Sequence, residues 1–370
     1  MQRILFGMCV VLFFLMGLLP QTYGDSQKLR IFVVNSYHRE YVWEQEVNEG
    51  FCAAMLDFKF LDSKDQADIY TSLDFVETDH IVLKKVWMDS KRKNIKNDLK
   101  EATREILKQI NEFKPDLIVV GDDNASNYIG SNFVDTKTPV VFRGIIESPV
   151  KYGLADSLEH PGHNITGILK PGYPQDTIEN FSKLVPQAKT FAILADNSET
   201  SKGKIRGVVR YEETGKSPLK LTEIVYANSF SEWQDAALRL QKSVDAFLIV
   251  NHNTLKDETG ASADPLKVTA WYLQNIKKPD MTWERQMLKE GYLLAADDSA
   301  YKQGYEVVRL ADMVIHQKKS PADIPCLIPQ RGKILANRQR AQMLGIDVSD
   351  KNFIEGFEEK ASALEKYPRG

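Results

Sequence analysis

Short apolar runs alternate with amphipathic stretches along most of the chain. Residues 29–34 (LRIFVV) are apolar apart from Arg30 and end on Asn35-Ser36-Tyr37-His38. Such a run, without polar alternation, predicts a strand buried on both faces. Residues 43–55 carry Trp43, Val47, Phe51, Ala54 and Met55 at helical spacing. A strand follows over 81–88. In the helix at 97–113, Leu99, Ala102, Ile106, Ile110 and Phe113 share one face. The strand at 116–120 closes on Gly121-Asp122-Asp123-Asn124, and a short helix leads to the strand at 139–142, which ends at Arg143-Gly144. Residues 58–79 lack a clear period, are rich in acids, and read as a surface insertion.

The second half repeats the alternation. Helices are expected over 176–184, 202–213, 230–244 and 265–276. Strands are expected over 190–195, 219–226, 246–250 and 279–283. The first of these strands ends on Asp196-Asn197-Ser198, the third on Asn251-His252-Asn253. Strands alternating with helices of this length predict α/β architecture with parallel sheets covered on both faces. Two such sets predict two doubly wound, Rossmann-like lobes with a hinge. Ligands of such sheets bind beyond the carboxyl ends of the strands, so facing lobes would share one interlobe cleft.

The amino terminus has a different pattern. Residues 1–24 run from Arg3 through an apolar stretch at 4–19 to a polar end at Gly24. That order is a secretory signal, with cleavage expected after Gly24; an uncleaved anchor is the alternative. Either reading places the bulk of the chain in the periplasm or outside the cell. No later run approaches the roughly 20 residues of a membrane span. The apolar content of 43% supports real cores, and the formal net charge of −3 argues against nucleic acid as a partner. Cys9 lies inside the leader. Cys52 and Cys326, far apart and without metal-like spacing, leave open one disulfide or two unpaired thiols.

The stretch 138–184 resembles the extracytoplasmic solute-binding proteins of ABC transporters, in the group that includes tryptophan- and tyrosine-type binders. It carries Pro149-Val150, then Pro161-Gly162-His163-Asn164-Ile165-Thr166-Gly167, then Leu184-Val185-Pro186-Gln187-Ala188-Lys189. Further matches are Gly304, Ser320-Pro321-Ala322-Asp323-Ile324-Pro325, and the helix from Asn337 through Ala341 to Gly345-Ile346. The Asn35–His38 segment and Trp87-Met88-Asp89-Ser90-Lys91-Arg92 resemble a subset whose relatives also serve as outer portions of sensor kinases. The chain departs from the pattern at 58–79 and in the acidic tail at 350–370. The resemblance implies a type I periplasmic binding protein fold that closes on a solute about a hinge. It also implies a first lobe of 25–145 plus 284–298 and part of the carboxyl-terminal segment. The second lobe would hold 146–283 plus 299–328, with 329–370 as a crossing segment, terminal helix and tail. The late strand at 292–296 would be the returning edge strand of the first lobe.

Candidate ligand contacts are the polar residues at predicted strand ends. In the first lobe these are Ser36, Tyr37, His38, Asp122, Asp123, Asn124 and Arg143; in the second they are Asp196, Ser198, Asn251, His252 and Trp283. Asp122-Asp123-Asn124 suits an ammonium or hydroxyls, and equally a helix start. Arg143 suits a two-pronged grip on a carboxylate, or an internal ion pair with Asp122 or Glu147. A metal site would require His38, His252 and aspartates to converge, since neither a His-x-x-x-His nor a His-Glu-x-x-His spacing is present. The Gly-x-Ser-x-Gly elbow and the phosphate loop are absent too. No enzyme activity and no cofactor or metal are expected. The expected function is capture of a small organic solute, an amino acid or derivative, for delivery to an ABC permease by a monomeric receptor. The alternatives are a ligand-sensing receptor docking on a separate membrane protein and, third, an exported hydrolase.

Overall fold

A computed structural model describes residues 28–93 and 96–368; the expected leader lies outside the described residues. The chain begins with β1 (Leu29–Asn35), α1 (Val42–Asp57), α2 (Lys64–Leu73), β2 (Phe75–Glu77), β3 (Ile81–Trp87), α3 (Lys96–Phe113), β4 (Leu117–Gly121), α4 (Asp122–Tyr128), β5 (Val140–Ile145) and β6 (Ile165–Leu169). These strands form one sheet in the order β2-β3-β1-β4-β5-β6, parallel except for β2 against β3. Alternate residues of β1 serve opposite faces. Ile31 and Val33 pack with Phe51 and Ala54 of α1, whereas Phe32 and Val34 pack with Ile106 and Ile110 of α3. Burial on both faces is why the strand sequence is an unbroken apolar run.

The second lobe comprises α5 (Pro174–Leu184), β7 (Thr190–Asp196), α6 (Glu199–Glu213), β8 (Lys220–Ala227), α7 (Phe230–Leu240), β9 (Ala246–Asn251), α8 (Pro265–Asn275), β10 (Asp280–Thr282), α9 (Arg285–Glu290) and β11 (Leu294–Ala296). The chain then returns through α10 (Ala300–Ile315) and ends with β12 (Ile334–Asn337), α11 (Arg338–Leu344), β13 (Gly356–Glu358) and α12 (Ser362–Lys366). The second sheet has the order β13-β12-β11-β10-β9-β7-β8, with only β11 against β12 antiparallel.

Several boundaries differ from the sequence expectation. The first lobe extends past residue 145, because β6 pairs in parallel with β5 and closes the sheet edge. The late strand is β11, which pairs with β10 and β12 in the second sheet, so residues 294–296 do not belong to the first lobe. Segment 300–327 belongs to the first lobe instead of the second. Its helix α10 packs on α1 so closely that a Cβ on Gly304 would collide with the Val47 carbonyl, and one on Gly50 with the Tyr301 carbonyl. Gln303 donates to the Leu169 carbonyl at 3.0 Å, and Leu327 bridges to Ile168. Residues 58–79 are no loose insertion. Ser63 caps α2, and Phe60, Leu61, Ala67, Tyr70 and Val76 are buried in the first-lobe core. The tail contributes β13, while Ala361 and Ala363 join the second-lobe core.

The chain therefore crosses between lobes at 170–173, 297–299 and 328–333. The crossings are tied together: Asp297 donates its N–H to the Lys333 carbonyl at 3.0 Å, Gly332 donates to the Asp297 carbonyl at 2.7 Å, and the Tyr173 hydroxyl donates to the Pro329 carbonyl. Gly172 has φ +81°, a left-handed conformation that glycine adopts without steric cost. Both cysteines of the described chain are free.

Candidate functional site

Each expected residue stands at or just past a strand end, but most are already committed to the fold. The Ser36 hydroxyl donates to the Gly121 carbonyl at 2.5 Å and accepts from the Ala125 N–H at 2.8 Å. Asp123 accepts from the Ile146 and Glu147 N–H groups and from the Tyr152 hydroxyl at 3.0 Å, fixing the loop after β5. Burial nonetheless pushes its carboxyl up to about 6. Asn124 donates to the Ser90 hydroxyl at 2.9 Å. Arg143 makes the internal ion pair and not a free fork. Its guanidinium donates to Glu44 at 2.7 Å, Asn35 at 2.9 Å and Asp122 at 3.1 Å, all buried. Burial also pushes Glu44 up to about 7, against the pull of Arg143.

The second-lobe candidates behave similarly. Asp196 accepts from the Ser198 and Ser201 hydroxyls at 2.6 Å each and from the Thr254 N–H at 2.9 Å. Burial opposes its ionisation, but the Lys91 ammonium and these hydroxyls hold its carboxyl below the usual range. The Asn251 side chain accepts from the His252 and Asn253 N–H groups. His252 is fully buried beside Trp233 and Tyr292 and pairs with Glu290 at 3.0 Å, behind the cleft wall. Trp283 is buried under the hinge near Gly172 and Lys204. Among the described residues no group of three or more His, Cys, Asp or Glu is placed to hold a metal ion.

Where the lobes meet, a charged cluster lies beside the crossings. Lys170 stands on the first crossing and Lys204 on α6, and both donate to Glu284, Lys170 at 3.1 Å. Burial works against the ionised Glu284 carboxylate, but the two ammonium groups hold it well below its ordinary range. Lys170 also lies 3.6 Å from Asp298 and 3.2 Å from the centroid of the Trp43 ring. Neither Asp298 oxygen has a hydrogen-bond partner among the described residues, and burial pushes this carboxyl up to about 7.

Outward from this cluster, a cavity of about 550 Å³ opens between the lobes. His38, Tyr41, Val42 and Lys91 form its first-lobe wall; Asn253, Ala263, Leu266 and Gln286 form the facing wall. Asn253 donates to the Tyr41 hydroxyl across the gap at 3.3 Å, and Lys289 pairs with Glu46 at 2.5 Å near the rim. Of the expected residues, His38 lines the cavity; Tyr37 stands one layer behind, edge-on to Tyr41 with ring centroids 5.1 Å apart. Tyr41, Lys91, Lys170, Lys204 and Asp298 were not among the expected residues. The Met88, Asp89 and Ser90 N–H groups bond to the Asn35, Tyr37 and Ser36 carbonyls, which carries Lys91 to the cavity. A wider groove of about 800 Å³ lies on the second lobe between α7 and α8, beside Phe230, Trp271 and Tyr367. It draws on one lobe only.

Comparison with known proteins agrees with this two-lobed arrangement. A tyrosine-binding protein of Clostridioides difficile (strain R20291) is 24% identical over 251 residues, 68% of this chain and 69% of that one. The ABC domain from Streptococcus pneumonia solved in complex with L-Trp is 20% identical, covering 90% of this chain and all of that one with a TM-score of 0.67. A ligand-free, open substrate-binding protein with adhesive properties from Clostridium difficile is 18% identical, at the same coverage and a TM-score of 0.65. The family model for ABC transporter substrate-binding proteins matches residues 82–360, about three-quarters of the chain. The chain belongs to the ABC transporter substrate-binding protein family.

Proposed function

We propose that this protein captures a small organic solute, an amino acid or a derivative of one, in the interlobe cavity and delivers it as a monomer to an ABC permease. The observation that carries the reading is the cavity itself. Its walls come from both lobes, so a solute held there ties the closure of the three crossings to occupancy. Its volume lies within the range of small-molecule sites, roughly 300–1,000 Å³. The names of the relatives, a tyrosine-binding protein and a domain bound to L-Trp, support a solute of amino-acid size. The sequence of residues 1–24 supports export with cleavage after Gly24.

The test is a thermal-shift screen of amino acids, peptides, organic acids and purines. A captured solute at 100 times its dissociation constant adds about 2.7 kcal/mol of stability. A screen in which no solute raises the melting temperature contradicts the reading. Amino-terminal sequencing of exported protein should begin at Asp25; full-length protein retained in the cytoplasm would contradict export.

A further inference from the structure

We infer that the captured solute is an apolar monocarboxylate lacking a free α-ammonium group, such as a deaminated or N-acylated relative of an apolar amino acid, held by its carboxylate on Lys91. The inference rests on the capture reading and narrows its ligand.

Charged side chains ring the cavity. Its cations, other than Lys91, have partners. Arg92 pairs with Asp89 at 2.7 Å and Glu40 at 3.7 Å, and Lys289 pairs with Glu46. Lys91 is different. It is 6% exposed, and among the described residues its ammonium has neither a hydrogen bond nor an ion pair. It lies over the rings of Tyr37 at 4.7 Å and Tyr41 at 5.6 Å. Burial lowers its pKa against the pull of Asp196 and Glu284, neither of which reaches it by a hydrogen bond or an ion pair among the described residues. A buried ammonium without a hydrogen-bonded anion is costly, and a carboxylate entering the cavity lowers that cost.

The acids of the cavity give the complementary half. Asp264 accepts from the Leu266 N–H at 2.9 Å and from Lys366 and the Tyr367 hydroxyl at 2.7 Å each. Glu290 is held by His252, Thr269 and Gln286. Glu40 faces Arg92 at the exposed rim. The unpartnered carboxylate oxygens of Asp122, Glu44 and Asp298 are buried elsewhere, and none of these three residues lines the cavity. An α-ammonium brought in beside the carboxylate would therefore lose its water and find no buried carboxylate free to replace it, only Glu40 at the solvated rim. The rest of the solute meets Tyr41, Val42, Ala263, Pro265 and Leu266, which suit an apolar body. A second acid group would find no further unpaired cation there, which limits the solute to one.

The experiment is calorimetric titration with 3-phenylpropanoate, N-acetyl-L-phenylalanine and L-phenylalanine. The first two should bind at least tenfold more tightly than the third. In Lys91→Met, both acids should weaken about tenfold to a hundredfold, the loss of one charge-assisted hydrogen bond. Lys91→Arg keeps the cation and should keep the preference for the acids. Equal or tighter binding of L-phenylalanine overturns the inference and leaves capture standing. So does unchanged binding of the acids by Lys91→Met. Binding of none of the three overturns the inference; capture falls only if the broader screen is also blank.

Discussion

Arg143→Met separates two roles for the most deeply buried guanidinium of the first lobe. The structure commits that group to Glu44, Asp122 and Asn35, each within 3.1 Å and with both ion-pair partners essentially unexposed. Methionine replaces the aliphatic bulk and leaves two carboxylates facing each other in the core. Removing one partner of a buried ion pair costs about 3–5 kcal/mol. At about 2–4 °C per kcal/mol for a lobe of this size, the melting temperature should fall by roughly 6–20 °C. The loss should shrink toward pH 5. Burial already raises the folded-state pKa of Glu44 to about 7, so its protonated form is the one the fold favours at low pH. Circular dichroism melts at pH 5 and pH 8 measure both effects. A variant that melts like the parent but no longer binds solute would make Arg143 a ligand anchor and refute the assignment.

Four further variants test the packing and charges. Gly304→Val places side-chain atoms against the Val47 carbonyl and should destabilise by about 3 kcal/mol or more in denaturant unfolding, whereas a parental midpoint would show that α10 is free to shift from α1. Burial raises Asp298 to about 7, so its contribution is fully present below its unfolded pKa near 3.9 and is lost as pH rises through 7; Asp298→Asn should therefore gain on the parent from pH 4 to pH 8, and a gap independent of pH would refute this. Glu284→Gln removes the carboxylate shared by Lys170 and Lys204 and should cost about 3–5 kcal/mol. Lys289→Ala, at the partly exposed rim, should cost less than about 1 kcal/mol, and equal losses in the two unfolding curves would contradict the difference in burial.

The doubly wound pattern was legible because strands covered on both faces, such as Leu117–Gly121 and Ala246–Asn251, are continuous apolar runs. The partition of the later chain was not. Leu294–Ala296 is three residues long, and only its partners, Thr282 on one side and Leu335 on the other, assign it to the second sheet. The helix Lys64–Leu73 was hidden by its charged outer face; only Ala67 and Tyr70 reach inward. Strand-end positions of the candidate residues were readable, yet their use was not. Whether Arg143 meets a solute or Glu44 depends on a residue 99 positions away. Lys91 lies in the run Lys91-Arg92-Lys93, which reads as solvated charge. Its burial comes from tertiary hydrogen bonds that draw residues 88–90 along the end of β1.

In the proposed capture, solute is held between the lobes. A crystal structure of the protein with the solute that raises its melting temperature most tests it directly. The account predicts solute density in the cavity between Tyr41 and Lys91 on one side and Asn253 and Leu266 on the other. Density in the groove beside Phe230 and Trp271, with the interlobe cavity empty, would contradict it.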